Sequence, residues 1–191
     1  MENQLILASS SPRRQELLKQ VKIPFTVRIP AVDESLNKTL DPHEKVAQLA
    51  LLKGRHVMIE NEKEVVLAAD TIVAFQNRIF EKPENKEEAK EMITALSGKV
   101  HEVYTGVVIK SNQKERVFVE KTEVEFWQLH DEEINSYISS DEPYDKAGGY
   151  GIQSIGSMFV KGIKGDYYNV VGLPVSWVVR ELQKFLVYPD F

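Results

Sequence analysis

The chain has 191 residues, 42% of them hydrophobic, with 24 basic and 29 acidic side chains, a net charge of −5 and no cysteine. A chain of this length buries roughly 70% of the surface its unfolded form exposes, so a self-sufficient folded domain is expected. The acidic balance argues against a whole-molecule clamp for nucleic acid, the missing cysteines remove disulfides, thiolate zinc sites and thiol nucleophiles, and no apolar run nears the ~18 residues of a membrane span.

Leu5-Ile6-Leu7-Ala8 is an apolar run that breaks into Ser9-Ser10-Ser11-Pro12-Arg13-Arg14 ahead of a helical pattern. It reads as a strand, a hydroxyl-rich turn and a helix over about 12 to 20, with Ser11 placed to cap free N–H groups and Pro12 at the first helical position. Two arginines in the first turn oppose the helix dipole, a placement that makes sense if a phosphate chain lies between them and the backbone N–H groups. The plainer alternative is a capped surface helix with solvated arginines. Pro24 to Pro30 reads as a short strand with Phe25, Val27 and Ile29 alternating. Pro42 opens a helix to about residue 59, striped by Val46, Leu49, Ala50, Leu52 and Val57. Glu64 to Phe75 is the strongest strand signal, apolar on both faces from Val65 to Ala69, as in the buried centre of a sheet. Asp70 ends that run. A helix from Lys86 to Leu96 stops at Ser97-Gly98. A strand over Val103 to Lys110, a polar turn at Ser111-Asn112-Gln113 and a partner over Val117 to Trp127 read as an antiparallel hairpin. Asp131 to Ser139 suggests a short helix, residues 143 to 173 are glycine-rich loop, and Pro174 opens a last helix. No repeat or linker divides the chain, so one α/β domain over residues 1–191 is expected, with a mixed twisted sheet, flanking helices and two lobes around a deep cleft.

An ionised carboxylate at the end of a buried strand is costly unless paired, hydrogen-bonded or bound to metal, which singles out Asp70. Ligands of open α/β sheets bind beyond strand ends, although an Asp that merely caps the next turn would look the same. Asp33-Glu34 offers a second carboxylate. Two such groups beside a phosphate site would repel the substrate, and so imply a hard divalent cation, Mg²⁺ or Mn²⁺, bridging them to phosphate oxygens. Arg13, Arg14, Lys53, Lys82 and Lys146 each sit beside a turn or a Gly/Pro signal and form a scattered cationic set of the kind a folded pocket gathers. Lys82 precedes Pro83, which holds its backbone extended. Lys53 adjoins Gly54 on the long helix. In Asp145-Lys146-Ala147-Gly148-Gly149-Tyr150-Gly151-Ile152-Gln153, the glycines let backbone approach a ligand closely. The Gln153 amide carries a donor and an acceptor side by side, matching N3–H and O4 of uracil or thymine. His43, His56, His101 and His130 lack metal-ligand spacing and read as solvated or structural. There is no Walker loop, G-x-G-x-x-G fingerprint or G-x-S-x-G elbow.

In combination these segments resemble the Maf family of nucleoside triphosphate pyrophosphatases over nearly the whole chain. The resemblance rests on S-S-S-P-R-R at 9–14, D-E at 33–34, A-A-D-T-I-V at 68–73, E-K-P at 81–83, L-S-G-K-V-H-E-V-Y-T-G-V at 96–107, D-K-A-G-G-Y-G-I-Q at 145–153 and Y-Y-N-V-V-G-L-P at 167–174. It implies a fold akin to the inosine triphosphate pyrophosphatases and hydrolysis between the α and β phosphates with a divalent metal. By the same resemblance the acidic catalytic residue falls on Asp70, and the specificity positions of the dTTP and UTP branch fall on Arg13, Thr71 and Gln153. Glu34, as a metal ligand beside Asp70, together with Lys53 and Lys82 completes the expected catalytic set, and Ser9, Ser11 and Arg14 the expected phosphate-binding set. A homodimer acting on a free nucleotide is implied too, with no nucleic-acid or membrane partner. The N-terminus lacks the regions of a signal peptide, so the cytoplasm is the expected location. Two other classes stay open: a nucleotide-binding regulator that hydrolyses nothing, and a nucleic-acid module.

Overall fold

The computed structural model describes residues 2–32 and 41–191. Along the chain, β1 (Gln4–Leu7) leads into α1 (Pro12–Gln20), β2 (Phe25–Val27), α2 (Pro42–His56), β3 (Glu64–Phe75), β4 (Arg78–Phe80), α3 (Lys86–Leu96), β5 (Val100–Lys110), β6 (Glu115–Phe126) and α4 (Asp131–Tyr137). Three 3₁₀ turns then precede β7 (Val160–Lys164), α5 (Tyr167–Val171) and α6 (Val175–Gln183). Among the described residues the strands form a seven-stranded sheet in the order β2-β1-β3-β5-β6-β7, with β4 beside β3. β1 runs parallel to β2 and β3, whereas β4 is antiparallel to β3 and β7 to β6. The expected α/β architecture with a mixed sheet is therefore present.

Four elements depart from the sequence reading. β4 was not expected: Gln76 and Asn77, with φ of 50° and 62°, close a two-residue hairpin that sets Phe75 opposite Arg78. The glycine-rich region read as loop contains β7 and α5. β7 is held by its ladder to β6 and by Lys161 reaching Glu125 at 2.7 Å, not by an alternating apolar face. The long helix stops at His56, because Val57 turns extended, with φ −90° and ψ 120°.

Backbone packing groups the residues into two units. Unit 1 comprises Met1–Asp70, Thr105–Glu120 and Gly172–Phe191, and unit 2 comprises Thr71–Tyr104 and Lys121–Val171, so β3, β5 and β6 contribute to both. In unit 1 the parallel register of β1 and β3 sets Leu5 beside Val65 and Leu7 beside Leu67. Ile6, Ala8, Val57, Val66 and Ala68 pack into a buried cluster. At the head of β3 the Arg28 guanidinium holds both oxygens of buried Glu64 at 3.0 Å, which keeps that carboxyl below its usual pKa range.

Unit 2 is organised around aromatic rings. Phe126 meets His101, Tyr150 and Phe159 at centroid distances of 4.8, 4.7 and 5.8 Å. His101 is 1% exposed and its Nε2 lies 2.7 Å from the Tyr150 hydroxyl. Burial disfavours the imidazolium and pushes its pKa down to about 3. The unfolded chain takes up this proton below about pH 6.5. Stability from the neutral buried ring is therefore complete above that pH and is lost as the pH falls toward 3. Between pH 7 and pH 5 the unfolding free energy should drop by about 2 kcal/mol, and a His101→Phe variant should show a flatter profile in urea titrations across that range.

Candidate active site

Asp70 stands directly after the buried run of β3. Its Oδ1 lies 2.5 Å from Nζ of Lys53, and each side chain of this ion pair is 14% exposed. The pair depends on how tightly α2 lies on the sheet. A Cβ at Gly54 would come within 2.8 Å of Val108 Cγ1 and 3.4 Å of Ala68 Cβ. A Cβ at Gly106 would run into the carbonyl of Val46, about two turns before Gly54 on α2. Space, not a positive φ, demands glycine at both positions. Lys53, adjacent to Gly54, is thereby carried to within reach of the β3 carboxylate. Breaking such a partly buried pair on one side would strand a charge.

The Ser9–Arg14 turn also belongs to unit 1. Ser11 occupies the N-cap of α1 in an extended conformation, but its hydroxyl makes no capping bond, contrary to expectation. The hydroxyl at work is that of Ser9, which accepts from the Ser11 N–H at 3.2 Å and from Arg14 Nη1 at 3.3 Å. Arg14 is only 9% exposed, and its Nε donates to the Gly172 carbonyl at 2.8 Å. A buried guanidinium needs such partners, and here they make Arg14 the fastener of the turn. Arg13, one position earlier in the helical rotation, stays half-exposed.

Unit 2 holds the other candidates. Thr71 follows Asp70 in β3 and is half-buried, whereas Lys82, ahead of buried Pro83, and Gln153 are exposed. Lys146 is paired inside its own loop, with Nζ 2.5 Å from Asp145 Oδ1 and 2.7 Å from the Glu142 carbonyl. Gly148 and Gly149 are buried with φ of 71° and 74°, and a Cβ at Gly148 would sit 2.8 Å from Val73 Cγ2. These two glycines serve the turn and its packing. Asp33 and Glu34 lie outside the described residues. Among those described, no cluster of three or more His, Cys, Asp and Glu side chains is arranged to hold a metal ion, and no helix is long and apolar enough to cross a membrane. Gly106 is the residue that sequence reasoning missed, and its signal was a glycine inside a strand pattern. Gly106→Ala should lower the unfolding free energy by about 2 kcal/mol through overpacking, measured by urea denaturation.

Known proteins resemble this chain closely. Residues 4–185 match the family model described as Maf-like protein. A Bacillus cereus protein named dTTP/UTP pyrophosphatase is 54% identical over 181 residues, 95% of each chain. A Bacillus anthracis protein of the same name is likewise 54% identical over 95% of each chain. Among solved structures, the Staphylococcus aureus Ham1 protein aligns over 97% of this chain and 91% of its own, with 12% identity and a TM-score of 0.44. A family match spanning almost all of the residues, joined to relatives of more than half identity, settles the lineage: the chain belongs to the Maf family.

Proposed function

We propose that this protein hydrolyses dTTP and UTP between the α and β phosphates, yielding the nucleoside monophosphate and pyrophosphate. The observation that carries the reading is the near full-length match at 54% identity to proteins named dTTP/UTP pyrophosphatase. The Lys53–Asp70 pair gives it chemistry. In this reading Asp70 is the general base that positions and deprotonates a water for attack on the α-phosphorus, and Lys53 orients its carboxylate. Lys53, Arg13 and Lys82 offset the charge that moves onto the departing pyrophosphate. The backbone N–H groups at the head of α1 receive phosphate oxygens, with Ser9, Ser11 and Arg14 shaping that turn. Gln153 and Thr71 read the pyrimidine edge.

Magnesium asks for only one or two protein carboxylates beside substrate phosphate oxygens. Asp70, partly open to solvent and with one oxygen on Lys53, fits that requirement, and Glu34 is the second ligand in this reading. A bound Mg²⁺ or Mn²⁺ would neutralise phosphate charge as a Lewis acid. A homodimeric state, through the resemblance, and a cytoplasmic location belong to the same proposal.

The deciding experiment is a pyrophosphate-release panel over the common nucleoside triphosphates with Mg²⁺, Mn²⁺ or chelator. Release from dTTP and UTP above the other nucleotides, abolished by chelator, is the expected result. Asp70→Asn should cut kcat by about 10²- to 10⁴-fold while dTTP still binds in equilibrium measurements. Gln153→Ala should reduce the preference for dTTP over CTP by about tenfold in kcat/KM, leaving turnover of the best substrate largely intact.

A further inference from the structure

The aromatic core of unit 2 contains a polar side chain that packing alone does not require. His101 sits edge-on to Phe126 and Tyr150, at 4.8 and 5.4 Å, and these two rings are themselves 4.7 Å apart. A phenylalanine would fill the same place. The imidazole instead brings a buried polar ring whose Nδ1 has no hydrogen-bond partner, a costly arrangement. What it adds is the 2.7 Å bond from Nε2 to the Tyr150 hydroxyl.

Tyr150 is where that bond acts on the rest of the loop. It is flanked by Gly149 and Gly151, which supply no side chain of their own to fix the backbone, and Gly149 has φ 74°. Its own ring is 5% exposed. Three residues later comes the exposed Gln153, and directly after it Ser154, whose hydroxyl donates to Glu142 Oε2 at 2.5 Å. The span from Tyr150 to Gln153 is thus fastened at one end by His101 and at the other by Ser154.

We propose that His101 is a positioning residue for base selection: by holding the Tyr150 hydroxyl it fixes the short backbone span that presents Gln153. The proposal rests on the pyrophosphatase reading and on Gln153 facing the base. The test measures kcat and KM for dTTP and CTP in the parent, Tyr150→Phe, His101→Phe, His101→Gln, Gln153→Ala and the Gln153→Ala/Tyr150→Phe double variant. Tyr150→Phe removes a single hydroxyl and keeps the ring, so it remains informative even where His101→Phe fails to fold. It should lower the dTTP-to-CTP ratio of kcat/KM about fivefold, through a raised KM for dTTP with kcat within about twofold. His101→Gln, which can still bond the hydroxyl, should retain more of the ratio than His101→Phe. In the Gln153→Ala background, Tyr150→Phe should change the ratio no further, because both act through one contact. A Tyr150→Phe enzyme that loses stability yet keeps the parent ratio, or effects that simply multiply in the double variant, would overturn the proposal while leaving the hydrolase reading intact. A parent that releases no pyrophosphate from dTTP or UTP would overturn both.

Discussion

A helix can approach a strand only as far as the side chains between them allow, and in unit 1 two of those side chains are missing. Gly106 on β5 lies against the backbone of α2 at Val46, and Gly54 on α2 lies against the side chains of Val108 and Ala68. That contact decides where Lys53 stands. The ammonium then reaches an aspartate that the run from Val65 to Ala69 carries out of a fully apolar core. Interiors are close-packed and respond to a single methylene, so the alignment of the two charges inherits the rigidity of the helix and sheet beneath them. The ion pair at Asp70 is thus supported by glycines whose own positions carry no charge.

Unit 2 solves a different problem. Its loops are rich in glycine and would be expensive in entropy to order without anchors. The anchors are specific: the N–H of Gly148 donates to the Glu81 carbonyl at 3.0 Å, Lys146 is tied to Asp145 and Glu142, and Tyr150 is plugged into the ring cluster around Phe126. The Asn169 side chain plays a similar part farther along, with Nδ2 donating to the Val103 carbonyl and to Thr122 Oγ1, both at 3.0 Å. Buried polar groups of this kind fix one arrangement where apolar contacts alone would permit several.

Much of this was legible in the residues. α1, β3 and α3 begin and end where Pro12, the Val65–Ala69 run and the Ser97-Gly98 stop place them, because each has a local signal strong enough to stand without tertiary help. β4 and β7 had none. The turn into β4 is made by Gln76 and Asn77 in left-handed conformations usually signalled by glycine, and Val160–Lys164, with Lys161 and Lys164, lacks the alternation of a strand and takes its order from β6. In the site, Asp70 and Lys53 were readable as a charge ending an apolar strand and a lysine beside a helix glycine. The division of labour between Arg13 and Arg14 was not. Adjacent helical positions differ by about 100° in direction, and only the course of the distant chain at Gly172 decides which one is turned inward. The burial of Gly148 likewise depends on a neighbour remote in sequence, Val73, whereas the pairing of Lys146 depends on how its own loop folds back on Asp145 and Glu142.

The fastening of the turn at the head of α1 has an energetic corollary. Ser9 and Arg14 lock the Ser11 amide and the course of the chain from within the protein, before any ligand arrives. With the Ser11 N–H satisfied by the Ser9 hydroxyl and the guanidinium by the Gly172 carbonyl, the turn has its course set by internal partners, and any group that docks against it forfeits little chain entropy, which leaves more of their attraction to show as affinity.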